Sequence, residues 1–197
     1  PDHLGERLLA VERRTLKLYG FGIKGFILSM IETALEVTER RVPGHVIARI
    51  VEAGHEMLAH PVDLLPDAQA TIDGLRDRYR LVLITKGDLF DQERKIASSG
   101  LADYFQAVEI VSDKSAETYR RIFARHGDGA EQALMIGNSL KSDVVPAIAA
   151  GAWGVFVPHE LTWKLEHEEE PVGNVRYRRL SRLGELVALL GEIDTDY

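Results

Sequence analysis

The sequence predicts an α/β fold built on a parallel sheet and preceded by a small unit made only of helices. Two segments, Leu81-Val82-Leu83-Ile84 and Ala133-Leu134-Met135-Ile136, are four-residue apolar runs bounded by turn-forming residues. Such runs are the pattern of parallel strands buried on both faces. From about residue 63 onward, strand-like and helix-like segments alternate, which builds βαβ units. Before residue 60 only helical periodicity is present.

In the first 60 residues, Leu4, Leu8, Val11, Leu16 and Leu18 recur at roughly helical spacing. Ile23, Ile27, Met30, Ile31, Ala34 and Val37 form a second stripe, and Val46, Ile47, Ile50, Val51, Gly54 and Met57 a third. The breaks fall at Gly20–Gly25 and at Arg41-Val42-Pro43-Gly44, where the proline suits the first turn of a helix. Gly20-Phe21-Gly22-Ile23-Lys24-Gly25 spells G-x-G-x-x-G, but a dinucleotide fingerprint needs a strand directly before it. Glu12 to Tyr19 reads as helix instead, so the glycines are expected to form a helix–helix connection, with Tyr19, Phe21 and Lys24 as contacts to a substrate.

Beyond His60-Pro61 the pattern predicts a helix from Pro66 to Tyr79, a strand over 81–85 and a helix over 89–99 stopped by Gly100. A short strand over 107–111 and a helix over 115–126 stopped by Gly127 follow. The strand 133–137 leads to a helix over 142–150 stopped by Gly151. Strand 154–158, a short edge strand over 176–180 and a helix over 182–191 complete the chain. The acidic run Glu166–Glu170 reads as a solvated loop or helix end.

Composition narrows the function. A net charge of −7 argues against a nucleic-acid footprint, which needs a basic stripe. No apolar stretch approaches the length of a membrane span, so no membrane role is expected. With no cysteine in the chain, disulfides, thiolate zinc sites and a cysteine nucleophile are excluded, and a reducing, cytoplasmic setting is expected. None of the seven histidines lies at metal-ligand spacing from another, and His126 before Gly127 reads as a cation at a helix C-terminus.

The chemistry gathers where strands end, because open α/β sheets bind ligands at the carboxyl ends of their strands. Thr85 and the backbone amides of Lys86 and Gly87 supply donors after one strand. Gly87 lets the backbone approach a ligand without a Cβ in the way. Lys114 supplies a positive charge three residues after the strand 107–111, and Asn138 and Asp143 supply oxygen ligands after the strand 133–137. Hydroxyl and amide donors, a fixed cation and hard oxygen ligands are what phosphoryl transfer with Mg²⁺ requires.

The order Thr85, Lys114, then Gly137-Asn138-Ser139-Leu140-Lys141-Ser142-Asp143 resembles motifs II, III and IV of the haloacid dehalogenase (HAD) superfamily. The nearest subgroup is the phosphatase-like hydrolases with a helical cap inserted after the first strand. The likeness covers essentially the whole chain, with 1–62 as the cap domain and 63–197 as a Rossmann-like α/β core. It implies a Mg²⁺-dependent phosphomonoester hydrolase acting through an aspartyl-phosphate on a small phosphorylated metabolite. Thr85 would bind the phosphoryl group, Lys114 would bridge that group and the catalytic carboxylate, and Asn138 and Asp143 would hold Mg²⁺ directly or through water. On that basis Lys114→Ala is expected to abolish turnover and leave the fold intact.

Two departures stand out. Asn138 occupies a position where family members usually carry aspartate. Motif I, a strand ending in D-x-D that supplies the nucleophile and sits mid-sheet, has no counterpart here; the expectation is that it lies upstream of Pro1. A haloacid-dehalogenase-type C–X hydrolase and a catalytically inactive binding module of the same fold are the alternative readings.

Overall fold

The computed structural model describes residues 2–160 and 163–195. In chain order it contains α1 (Asp2–Tyr19), α2 (Ile23–Val37), α3 (Gly44–Ala59), α4 (Ala68–Leu75), β1 (Val82–Lys86), α5 (Leu89–Ser99), β2 (Ala107–Val111) and α6 (Ala116–His126). After these come β3 (Leu134–Gly137), a turn of π-helix over Leu140–Val144, α7 (Val145–Ala150), β4 (Trp153–Phe156), β5 (Tyr177–Arg179) and α8 (Leu186–Thr195). By its internal contacts the chain divides into two compact units, one of residues 1–62 and 86–98, the other of residues 63–85 and 99–197.

In the helical unit α1 packs on α2, and α2 on α3. Val11 is buried at the first of these interfaces, where Thr15 Oγ1 and Ser29 Oγ meet at 2.8 Å. Arg14 reaches across to Glu32 and Glu36 at 3.2 and 2.6 Å. The G-x-G-x-x-G segment is the connection between α1 and α2, and Gly22 holds φ 125°, a conformation closed to residues with a Cβ. Segment 86–98, which the sequence places in the α/β part, belongs to this unit by its contacts, and the side chains give the reason. Lys24 Nζ pairs with Asp88 Oδ1 at 3.0 Å, and Lys86 Nζ lies 3.8 Å from the centre of the Phe21 ring. Asp88 Oδ1 also accepts the Asp91 N–H at 3.1 Å, capping α5.

The α/β unit holds two small sheets, β1–β2 and β3–β4–β5, the second of them parallel. The register pairs Leu134 with Trp153 and Val155 with Arg178. Alternation along β3 sends its side chains to opposite faces. Met135 packs with Ile84, Val111, Tyr119, Ile122 and Phe123, while Leu134 and Ile136 pack with Leu75, Val155, Leu186 and Leu189. Helices α6 and α7 therefore cover one face, and α4 and α8 the other.

Three expectations are corrected. β1 and β3, predicted to be buried on both faces, are mostly half-buried, and the fully buried run is Gly154–Phe156 of β4. The reason is pairing: β4 has neighbours on both sides, whereas β1 and β3 each leave one edge unpaired among the described residues. The last helix starts at Leu186 rather than 182, after a tight turn over Leu183–Glu185. The acidic run is not uniformly solvated, because its two ends fold onto the protein. Glu166 bonds Ser139, and Glu170 bonds Tyr177 and Arg179, leaving Glu168 and Glu169 exposed.

Candidate active site

The loop leaving β3 is organised by one hydroxyl-bearing residue. Ser139 Oγ caps the following turn by accepting the Ser142 N–H at 2.9 Å, and it donates to Glu166 Oε2 at 2.5 Å. The Ser139 N–H donates to Asp143 Oδ2 at 3.0 Å, so the Asp143 carboxylate folds back over the start of its own loop. The turn between them is a π-helical turn, Leu140–Val144, an irregularity frequent at functional sites. That return needs Gly137: a Cβ there would stand 2.2 Å from Asp143 Oδ2.

Lys114 arrives from the loop after β2, one residue before Ser115, which caps α6 by accepting the Thr118 N–H. Its Nζ lies 2.7 Å from Asp143 Oδ1, and the two side chains are only 10% and 7% exposed. A charge-assisted bond of this length, shielded from water, fixes both groups in place. Beneath it the Tyr119 hydroxyl donates to the Ser142 carbonyl at 3.0 Å. Burial, and then the Asp143 carboxylate, push the Tyr119 phenol far above its ordinary range, so it remains a donor at every physiological pH.

The structure thus brings Lys114 and Asp143 together. Thr85 stands half-buried in β1, and Asn138 is exposed immediately after β3. Lys86 and Gly87 continue the chain from Thr85 into the helical unit, where the Lys86 ammonium rests on Phe21 and Gly87 holds φ 149°. Three further residues escape a sequence reading. Ser139 carries a weak signal, a serine three residues before another loop N–H that it caps. Tyr119 lies on an apolar helix stripe and reads as core. Glu166 gives no local signal, being 27 residues from its partner.

The donors after β3 are all oxygen, one of them anionic, which suits a hard dication such as Mg²⁺. Among the described residues no three His, Cys, Asp or Glu side chains converge as a metal cage. Asn138 and Asp143 are the side chains here that would hold such an ion, with waters that Mg²⁺ retains completing its shell.

Residues 5–151 match the family of haloacid dehalogenase-like hydrolases. A solved haloacid dehalogenase-like family hydrolase from Xanthomonas campestris is 43% identical, with a TM-score of 0.85 over 96% of this chain and 76% of that one. A pyrimidine 5'-nucleotidase, YjjG, of Escherichia coli K12 is 26% identical over 72% of this chain and 63% of its own length. A glyceraldehyde 3-phosphate phosphatase of Methanothermobacter thermautotrophicus is 28% identical over 49% of this chain and 46% of its own length. The chain therefore spans less than two thirds of the length of these curated relatives. Among the described residues no helix is long and apolar enough to cross a membrane.

Proposed function

Because this chain belongs to the haloacid dehalogenase-like hydrolases, we propose that it hydrolyses small phosphomonoesters. The observation that carries this reading is the buried Lys114–Asp143 pair, an ammonium held at 2.7 Å beside a loop of oxygen donors. Both curated relatives named above act on phosphate esters, which supports phosphorus rather than a carbon–halogen bond as the reacting centre.

In this reading Thr85 Oγ1 and the backbone N–H groups of Lys86 and Gly87 donate to non-bridging oxygens and orient the phosphoryl group. The Lys114 ammonium offsets the charge that builds as one anion approaches another. Asp143 holds Lys114 in position through the bond that the two already share. Mg²⁺ held through Asn138 and Asp143 would supply further charge neutralisation. In the same reading an aspartate carboxylate attacks phosphorus and expels the ester alcohol, which takes up a proton, and water then hydrolyses the aspartyl-phosphate to release inorganic phosphate.

The test is turnover by the full protein of p-nitrophenyl phosphate, 5'-nucleotides and triose phosphates, with Mg²⁺ and with EDTA. Phosphate release that EDTA abolishes is the expected result. Chloride release from 2-chloropropionate that survives EDTA, without phosphate release, would instead identify a dehalogenase. No turnover of either substrate class would leave a binding module.

A further inference from the structure

The loop after β3 is short of negative charge for a site that takes a dication. Asn138 offers an amide oxygen with no charge, and the one carboxylate, Asp143, is already neutralised by Lys114 at 2.7 Å. A carboxylate from elsewhere in the chain approaches this loop. Glu166, in a tight turn over Lys164–Glu166, accepts the Ser139 hydroxyl at 2.5 Å, one residue from Asn138. The same turn is fastened a second time where Lys141 Nζ donates to the Leu165 carbonyl at 3.1 Å, and Leu165 itself is buried. Glu166 is half-buried, so its charge is screened less than that of a surface carboxylate. Burial raises the Tyr119 phenol most, and the Asp143, Glu166 and Asp113 carboxylates each add to it.

We propose that Glu166 is a positioning residue that supplies, through Ser139, the negative charge that Asn138 lacks for holding a dication. The inference rests on the Mg²⁺-dependent reading of the site. Glu166 holds the Ser139 hydroxyl, Ser139 holds Asp143 through its N–H, and the resulting chain of bonds sets the loop and its charge together. Partners hydrogen-bonded to a metal ligand, as the Ser139 N–H is to Asp143, commonly change metal affinity by about 10- to 100-fold when removed.

The experiment is calorimetric titration of Mg²⁺ into the full protein as wild type, as Glu166→Gln and as Glu166→Gln with Asn138→Asp, alongside metal-free melting curves. Gln still accepts the Ser139 hydroxyl, so the metal-free melting temperature of Glu166→Gln should match wild type while Mg²⁺ affinity falls about 10-fold. Adding Asn138→Asp should recover most of that loss, which a merely structural role for Glu166 would not allow. Wild-type affinity in Glu166→Gln, or no recovery in the double variant, overturns the proposal and leaves the hydrolase reading standing. A wild-type protein that takes up no Mg²⁺ overturns the metal-dependent reading and this proposal with it.

Discussion

Lys114 and Asp143 sit almost out of water, and that burial changes what a substitution at Lys114 should do. From the sequence alone Lys114→Ala is expected to stop turnover without disturbing the fold. In the structure the same change strands a carboxylate that is 7% exposed, with the Ser139 N–H its remaining partner among the described residues. Breaking a buried pair from one side costs about 3 kcal/mol, because the remaining charge is desolvated and uncompensated. Lys114→Ala should therefore lose turnover and also unfold at lower urea, and equilibrium unfolding beside the phosphatase assay reads both. Lys114 and Asp143 were each candidates from the sequence, since each follows a strand at a place where ligands gather. Their direct contact was not, because 29 residues separate them and tertiary packing, that of α6 on α7 included, brings their loops together.

At the scale of the element, the segment from β3 through the π-helical turn into α7 is where local sequence and site geometry meet. Asp143 can fold back over Gly137 only because nothing projects from that Cα. Gly137→Ala would put a Cβ 2.2 Å from Asp143 Oδ2 and 2.5 Å from its Cγ, so the carboxylate must leave. With it go the Lys114 pair and the Ser139 N–H bond, and a loss of about 3 kcal/mol in unfolding free energy is expected. Gly191→Ala, in α8 with open space around it, is the control: it should gain up to about 1 kcal/mol from helix propensity. The apolar runs identified β1 and β3 as strands, since four such residues between turn signals have few other uses. Their half-burial was not legible, because burial depends on which strands lie alongside, and no strand records its neighbours.

Across the whole molecule, the change of periodicity near residue 60 marks where the helices α1–α3 give way to alternating helices and strands. The return of segment 86–98 to the helical unit was not visible in the sequence, because it depends on Lys24 meeting Asp88 and Phe21 meeting Lys86 across 64 and 65 positions. A pH dependence of folding arises from the strand–helix contact of β2 with α6. Glu109 lies below the usual carboxylate value of 4.5, chiefly through the bond to the His126 ring at 2.6 Å, against a smaller opposing effect of burial and with further help from Arg125. A carboxylate depressed in the folded state adds stability that is fully present above its unfolded value and fades as pH falls through the folded one. Stability from this contact should hold above about pH 4.5 and decline below it. Glu109→Gln should flatten that decline in denaturation curves taken at a series of pH values, and an unchanged slope would remove the contact from the account. By itself the sequence determined the alternation of strands and helices, the helical unit ahead of it, and which loops carry hydroxyl, ammonium, amide and carboxylate, because periodicity and turn chemistry are local. Only the tertiary structure decided that Lys114 closes on Asp143, that Glu166 leaves its acidic run to bind Ser139, and that β1 and β3 stand at sheet edges among the described residues. Those outcomes depend on contacts between residues far apart in the chain, and such contacts form only when the layers pack.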